Sequence, residues 1–543
     1  MNDHYDAIVV GSGASGGWAA KTLSEAGLSV LVLEAGPAVS PKAEHRGGPF
    51  AMVRRLSRVA TGRQSRQSFH PAYWMKNPDF FVDDRQEPYT TAPGRPFNWI
   101  RGSQLGGRSF LWGGVLLRLS DYELEAGTRD GFGADWPLRY PDLAPWYDRV
   151  EDTLGVHGTS ANLRQLPDGH YVGAYPLTAA EEKLREGVER TWPSRRVLPC
   201  RGIDGTAGPL PGTPWSRLTS LGTTFVAAHA TGLTEVRTGA IVSHVIVDPS
   251  GKRARGVCYV DRTTGLRQEV HSRLVVLCAS TISSTRILLH TAALSPRSGL
   301  SSLPALGRYL MDHVCFGTIV SIDDVPYQSP QPLSGAHGFL VPRFMNLDGG
   351  RENVRGGFGI WGGIQRGAVS GKKGSREARG FLVGQGDMIP RFENAVTLGS
   401  RRDRWGIPVP HIDCGHSEDD MRLLRVMRES IAELLSAGGG KILNLYGKLN
   451  FPGPWSVVAR LESDWKSPPP GSYSHEVGGA RMGDDQSSSV VDARNRCWTL
   501  PNLLVTDGAC WPTAGWQNPA LTIMAITARA CEMAVASLKA GEL

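Results

Sequence analysis

Residues 5–37, YDAIVVGSGASGGWAAKTLSEAGLSVLVLEAGP, constrain the fold more than any other stretch of this chain. The apolar run 7–10 ends at a glycine and has the length of a strand buried on both faces. It leads into Gly11-Ser12-Gly13-Ala14-Ser15-Gly16, which satisfies G-x-G-x-x-G, and then into helix-forming residues 18–26, which Gly27 ends. A second buried strand, 30–33, stops at Glu34. Strand, glycine turn, helix, strand and acid in this order predict a dinucleotide-binding unit. Gly11 permits the tight turn, Gly13 lets the backbone approach a pyrophosphate, and Gly16 lets the helix pack closely on the strand. The helix N-terminus offers N–H groups and partial positive charge to the phosphates, and Glu34 stands where a carboxylate meets a ribose hydroxyl. A lone glycine turn is equally a loose loop; the flanking strands and the acid make the difference. The pattern does not separate FAD from NAD.

At 543 residues the chain can bury a large core and divide into two or more units. Its net charge of +7 is spread over doublets such as Arg54-Arg55, Lys372-Lys373 and Arg401-Arg402, without the basic runs of a nucleic-acid surface. The 8 cysteines contain no C-x-x-C pair, so neither metal-ligand spacing nor a disulfide framework is expected. The first strand leaves no room for a signal peptide, and no apolar run approaches the ~20 residues that cross a bilayer. A cytoplasmic protein with no metal, membrane or nucleic-acid partner is the expectation.

Residues 38–96 show little periodicity and are expected to form a long excursion, with a short helix at 50–60. Residues 236–247 and 255–261 alternate like paired strands around the turn Asp248-Pro249-Ser250-Gly251. A buried strand at 274–278 precedes a helix at 282–291, which restores the α/β pattern. From 318 to 464 the pattern changes to strands punctuated by Gly and Pro, with one strong helix at 417–435. The chain ends in a strand, 501–505, and a long helix, 518–538.

Three late stretches carry the chemistry: Ser474-His475-Glu476-Val477-Gly478-Gly479-Ala480-Arg481-Met482-Gly483, Leu503-Leu504-Val505-Thr506-Asp507-Gly508, and Gly515-Trp516-Gln517-Asn518-Pro519-Ala520-Leu521-Thr522. With the N-terminal fingerprint and Gly106-Gly107-Arg108-Ser109, they resemble the glucose-methanol-choline (GMC) flavin oxidoreductases, in the family's order and over nearly the whole chain. Within that family the chain looks most like the pyranose-oxidase and bacterial sugar-oxidising branch. The resemblance implies an α/β fold: a Rossmann-like FAD-binding domain with a discontinuous, sheet-based (α+β) substrate-binding domain. The implied division is 1–317 for the first part of the FAD domain, with 38–96 as a lid towards the substrate, 318–464 for the substrate domain, and 465–543 for the returning part.

The resemblance also implies FAD and assigns roles. His475 matches the active-site histidine and Asn518 its partner. Gly11, Gly13, Ser15, Gly16, Glu34 and Ala35 would hold the ADP end, with Val242 touching the adenine through its backbone. Arg101, Gly106, Gly107, Ser109, Trp112, Gly113 and Ala279 would line the cofactor. Asp507, Gly508, Asn518, Pro519 and Thr522 would approach the phosphates, ribityl chain and flavin ring. Trp516 and Gln517 are candidates for substrate contact; Trp361, Trp405, Trp455 and Trp511 are weaker aromatic candidates. Leu111 stands where covalent members carry a flavin-linked histidine, so FAD is expected to be non-covalent. Asp312-His313 reads as a structural turn.

Neutral imidazole can take the hydroxyl proton of an alcohol as its C–H hydride leaves for flavin N5. Asn518 cannot ionise, but its amide can fix the alcohol oxygen by donating or accepting a hydrogen bond. The expected reaction is oxidation of a secondary hydroxyl of a sugar, glycoside or sugar-like polyol to a ketone, with oxygen or another acceptor taking the electrons. A dehydrogenase for another alcohol using a quinone, and a redox-silent FAD-binding lyase, are the alternatives.

Overall fold

A computed structural model of the chain describes residues 4–41, 51–69, 74, 77–347, 354–367, 374–443 and 468–543. Its first sheet has seven strands, in the order Thr234–Thr238, Val30–Glu34, His4–Val10, Arg267–Leu277, Ala254–Asp261 and Ala240–Val247, with Leu503–Val505 paired to Arg267–Leu277. The pairs around His4–Val10 are parallel, Val9 lying opposite Val32 on one side and Val276 on the other. Strands covered on both faces need apolar residues at every position, which explains the unbroken runs; all of Val30–Glu34 is buried.

Helix Ala14–Glu25 begins four residues before the expected start. Gly16 and Gly17 look like loop residues by propensity, yet the helix needs them: a Cβ on Gly16 would lie 1.9 Å from the Gly11 carbonyl oxygen, and one on Gly17 would lie 2.2 Å from Thr224 Oγ1. Close packing here outweighs the helix cost of glycine, about 1 kcal/mol. The strand expected at 236–247 is also corrected. Gly239, at φ 70°, breaks it: Thr234–Thr238 pairs parallel with Val30–Glu34, and Ala240–Val247 pairs antiparallel with Ala254–Asp261.

The C-terminal helix, Ala520–Lys539, packs on Ala14–Glu25 and on Tyr140–Leu154. By length and apolarity it could cross a membrane, contrary to the sequence expectation, and 72% of its most apolar window is buried inside the protein. Arg529 and Glu532 interrupt the apolar residues along the chain; Arg529 donates to the Ala493 carbonyl at 2.6 Å, and Glu532 pairs with Arg149.

The second sheet has six strands in the order Gly440–Ile442, Val314–Ile322, Ala378–Gly386, Phe358–Ile364, Phe339–Val341 and Leu198–Pro199, all paired antiparallel. It starts at Val314 and takes its last strand from Leu198–Pro199, so a division at 318 would cut a strand. Helix Glu418–Ala437 covers one face; Ser417 and Asp420 form its capping box, and Leu423, Met427, Ile431 and Leu434 are buried on one side. Side chains alternate along Ala378–Gly386: Gly384 and Gly386 lie under Met427 and Leu423 of that helix, so Gln385 faces the other way. A third sheet joins Ala395–Arg402, Pro408–Asp413 and Thr90–Thr91, tying the end of the excursion to the second region. The helix expected within the excursion is present at Ala51–Ala60. The architecture is mixed α/β with a sheet-rich second region.

Candidate active site

The glycine turn forms a cradle open to a cofactor. Gly11 sits at φ 104°, where a Cβ would lie 2.3 Å from the Cys278 carbonyl oxygen. A Cβ on Gly13 would meet no atom within 4 Å. Gly13 caps helix Ala14–Glu25 without a side-chain hydrogen bond, leaving the first-turn N–H groups to a ligand. Gly107, at φ 53°, approaches Gly13, and the Gly106 N–H donates to Ser12 Oγ at 2.8 Å. Ser109 and Ser220 extend this lattice, Ser220 Oγ donating to the Ser12 carbonyl at 2.8 Å. The Glu34 carboxylate accepts from Ser12 N at 3.1 Å, Ser12 Oγ at 2.6 Å and Gly36 N at 2.7 Å. Burial pushes its pKa up, and the Ser12 hydrogen bond is the largest opposing effect. Strand, turn and acid thus form one pre-set unit whose open glycine and unclaimed helix N–H groups fit a dinucleotide pyrophosphate.

His475 lies half-buried on a loop held by Asp312. The Asp312 carboxylate accepts the backbone N–H of Gly471 at 2.7 Å, Tyr473 at 3.2 Å and His475 at 3.1 Å. Asp312 is 1% exposed, and burial raises its pKa against these bonds. The His475 ring stands edge-on to Tyr473 at 4.7 Å and to His313 at 5.0 Å. Tyr473 OH accepts from Trp361 Nε1 at 2.7 Å. His313 Nδ1 donates to the Gly386 carbonyl at 3.3 Å, and burial lowers its pKa to about 4, so it stays neutral beside His475. On the other side, Arg108 donates to the Ser474 carbonyl at 2.8 Å, to Glu476 at 2.7 Å and to Ser280 Oγ at 2.7 Å. The loop carrying His475 is therefore tied both to the second sheet and to the glycine-rich segment 106–109.

Asn518 is half-buried immediately before Pro519 and helix Ala520–Lys539. Its Oδ1 accepts from Gln385 Nε2 at 3.0 Å, and the same nitrogen donates to the Trp516 carbonyl at 2.7 Å. Residues 314–316 and 384–386 lie on neighbouring strands, Gln385 opposite Cys315, and Asp312 and His313 immediately precede the first of these strands. The anchors of the His475 loop and of Asn518 therefore sit side by side.

Several expected site residues do other work. Trp516 is 1% exposed with its ring over Gly359, and Gln517 is 0% exposed with its amide beside Glu123. Both side chains are packed inside the protein, the Trp516 ring against Gly359 of the second sheet. Ser15 Oγ lies 3.2 Å from Thr506 Oγ1 and 3.0 Å from Thr527 Oγ1, and Thr522 Oγ1 lies 2.8 Å from Tyr147 OH. Arg101 stacks on Trp99, 4.1 Å from the ring centre, and donates to the Glu87 carbonyl. Trp112 Nε1 donates to the Leu218 carbonyl at 2.8 Å. Asp507 accepts from Ser284 Oγ and from the Ala509 N–H; burial raises its pKa to about 6. Val242 lies in strand Ala240–Val247, and Ala279 donates its N–H to Ser284 Oγ at 3.2 Å. Trp405 and Trp511 are core residues, and Trp455 lies outside the described residues. Sequence reasoning did not pick out Gln385, Tyr473 or Arg108 as anchors, because only the folded chain brings them to the site.

The family model for the N-terminal part of a GMC oxidoreductase matches residues 204–315, that for the C-terminal part matches 390–527, and an FAD binding domain model matches 6–91. A 2-methyl-1,2-propanediol dehydrogenase from Mycolicibacterium austroafricanum is 27% identical over 97% of this chain and 94% of its own length. A 6'''-hydroxyparomomycin C oxidase from Streptomyces lividus is 27% identical over 96% and 89%. In fold, the chain is similar to pyridoxine 4-oxidase from Mesorbium loti, with TM-score 0.60 and 19% identity over 97% of this chain and 98% of that one. An Aspergillus oryzae formate oxidase gives TM-score 0.63 at 15% identity over 99% and 100%. With both halves of the family present in order around the glycine cradle and the paired anchors of His475 and Asn518, the chain belongs to the GMC oxidoreductases, FAD enzymes acting on CH–OH groups.

Proposed function

We propose that the protein oxidises a secondary hydroxyl of a sugar, glycoside or sugar-like polyol to a ketone. The observation that carries this reading is the anchoring of His475 by Asp312 and His313, just before strand Val314–Ile322, and of Asn518 by Gln385 on the neighbouring strand of the second sheet. Bound FAD supplies the hydride acceptor, flavin N5. His475 takes the hydroxyl proton, and Asn518 holds the alcohol oxygen so that the C–H bond is aimed. Tyr473 and His313 pack edge-on against the histidine ring, and Trp361 holds Tyr473 by donating to its hydroxyl. A sugar-like substrate agrees with the aminoglycoside named for the Streptomyces lividus oxidase and with the pyranose-oxidase-like character of the sequence. The diol named for the Mycolicibacterium relative favours a second reading, a dehydrogenase for a smaller alcohol with a non-oxygen acceptor.

The residues given to FAD are Gly11, Gly13 and Gly16 at the pyrophosphate, with Glu34 at the ribose. Leu111, 8% exposed, offers no nucleophile for a covalent link. Acid precipitation is expected to release all FAD into the supernatant; yellow colour kept in the pellet contradicts the non-covalent assignment. The function is tested by mixing the oxidised holoenzyme anaerobically with D-glucose, methyl α-D-glucopyranoside, myo-inositol and 1,2-propanediol. Flavin bleaching by a sugar or inositol, with a ketone product, is expected. Bleaching by the diol alone supports the second reading, and bleaching by none contradicts both. Peroxide formation in air then separates oxidase from dehydrogenase.

A further inference from the structure

The Asn518 side chain could in principle present either its carbonyl or its NH2 group to a substrate, and Gln385 removes that choice. The Trp516 carbonyl can only accept, so the Gln385 atom 2.7 Å from it is the NH2 nitrogen. The second hydrogen of the same NH2 meets Asn518 at 3.0 Å, and the atom there must accept, which makes it Oδ1. Both amide orientations therefore follow from one backbone carbonyl and leave nothing to assignment. Gln385 is 1% exposed and rigidly placed in strand Ala378–Gly386, between Cys315 and Gly359 of the neighbouring strands. Asn518 is left with Nδ2, a pure donor, for any partner on its exposed side.

We propose that Gln385 is a positioning residue that makes Asn518 a dedicated hydrogen-bond donor to the alcohol oxygen. This rests on the reading of His475 and Asn518 as the reacting pair. Its consequence is a division of labour at one oxygen. Nδ2–H donates to a lone pair of the substrate oxygen while Asn518 Oδ1 is turned towards Gln385, so the hydroxyl proton is left for His475. With FAD bound, the carbon-bound hydrogen would leave with both electrons of the C–H bond as hydride to the flavin, the hydroxyl proton would pass to His475, and the C=O bond would form. The oxygen is most negative during this step, and a donor stabilises it more there than in the bound alcohol, which raises the rate more than the affinity. The same donor favours ligands whose oxygen can only accept, the ketone product among them.

The test is a double-mutant cycle on the FAD-loaded enzyme, with the sugar or polyol that bleaches the flavin fastest as substrate. Gln385→Met is close in shape and frees Asn518 to turn; Asn518→Ala removes the donor. Gln385→Met is expected to slow flavin reduction at saturating substrate about tenfold and to weaken ketone binding, read by titrating the oxidised flavin spectrum, by a similar factor. In the Asn518→Ala background it should change neither, because its effect passes through Asn518. Equal losses in both backgrounds, or no loss in the wild-type background, overturn the proposal. An Asn518→Ala enzyme with unchanged flavin reduction instead overturns the underlying pair. Should Gln385→Met fail to hold FAD, Gln385→Leu takes its place: its side chain cannot donate to Trp516 or Asn518, and the same losses are expected.

Discussion

The Asp312 carboxylate accepts backbone N–H groups from Gly471, Tyr473 and His475, so one buried acid sets the path of the chain into His475. Ser474, just before it, sits at φ 61°, a conformation that L side chains adopt only when their surroundings impose it. In Asp312→Asn one oxygen becomes an NH2 group facing N–H donors, and at least one of these bonds is lost. That variant is expected to keep FAD, because the cradle lies on the other sheet, and to reduce flavin roughly 10–100-fold more slowly, as expected for a misplaced reacting group. A wild-type rate in stopped-flow reduction contradicts this role for Asp312. At this scale the sequence exposes His475 and Asn518 through the motifs around them. It does not expose Asp312 as an anchor, or Gln385, because each acts on residues more than a hundred positions away, across contacts that no local pattern encodes.

Helix Ala14–Glu25 and the two strands beside it were legible because their signals are local: apolar runs, a glycine turn and an acid within 34 residues of the chain start. Their boundaries were less so. Propensity places Gly16 and Gly17 outside the helix, whereas the fold needs them inside, against the Gly11 carbonyl and Thr224. Gly16→Ala therefore tests an element. Its Cβ would meet the Gly11 carbonyl oxygen at 1.9 Å, backbone that cannot move without opening the turn. Loss of FAD on purification and a stability loss of about 1–3 kcal/mol or more are expected, as for overpacking. Chemical denaturation and the flavin-to-protein absorbance ratio measure both, and an FAD-replete protein of wild-type stability contradicts the packing argument. The second sheet was legible only as a change of texture, since its strands rest on glycines such as Gly359 and Gly384 that look like breakers in sequence.

Across the whole molecule, Arg343 gathers three carboxylates in the interior, 3.1 Å from Asp130 and 3.8 Å from Glu123 and Asp387. Burial raises the Asp387 pKa to about 7 against the attraction of Arg343, while Glu123 and Asp130 push it further up. Folded Asp387 thus keeps its proton at pH values where the unfolded chain, near pKa ~4, has lost it. The stability this difference contributes is complete below about pH 4 and is lost as pH rises through about 7. Asp387→Asn removes the titration, so its melting temperature relative to wild type should rise between pH 5 and pH 8; a pH-independent difference contradicts the shift. The molecule joins a glycine cradle on one sheet to His475 and Asn518, held beside another, and the proposed reaction depends on His475 acting as the base. That claim is tested most directly by anaerobic stopped-flow reduction of FAD-replete His475→Ala with the best substrate of the wild type. The expected result is full FAD occupancy with flavin reduction slowed ~10²–10⁴-fold; bleaching at the wild-type rate would contradict it.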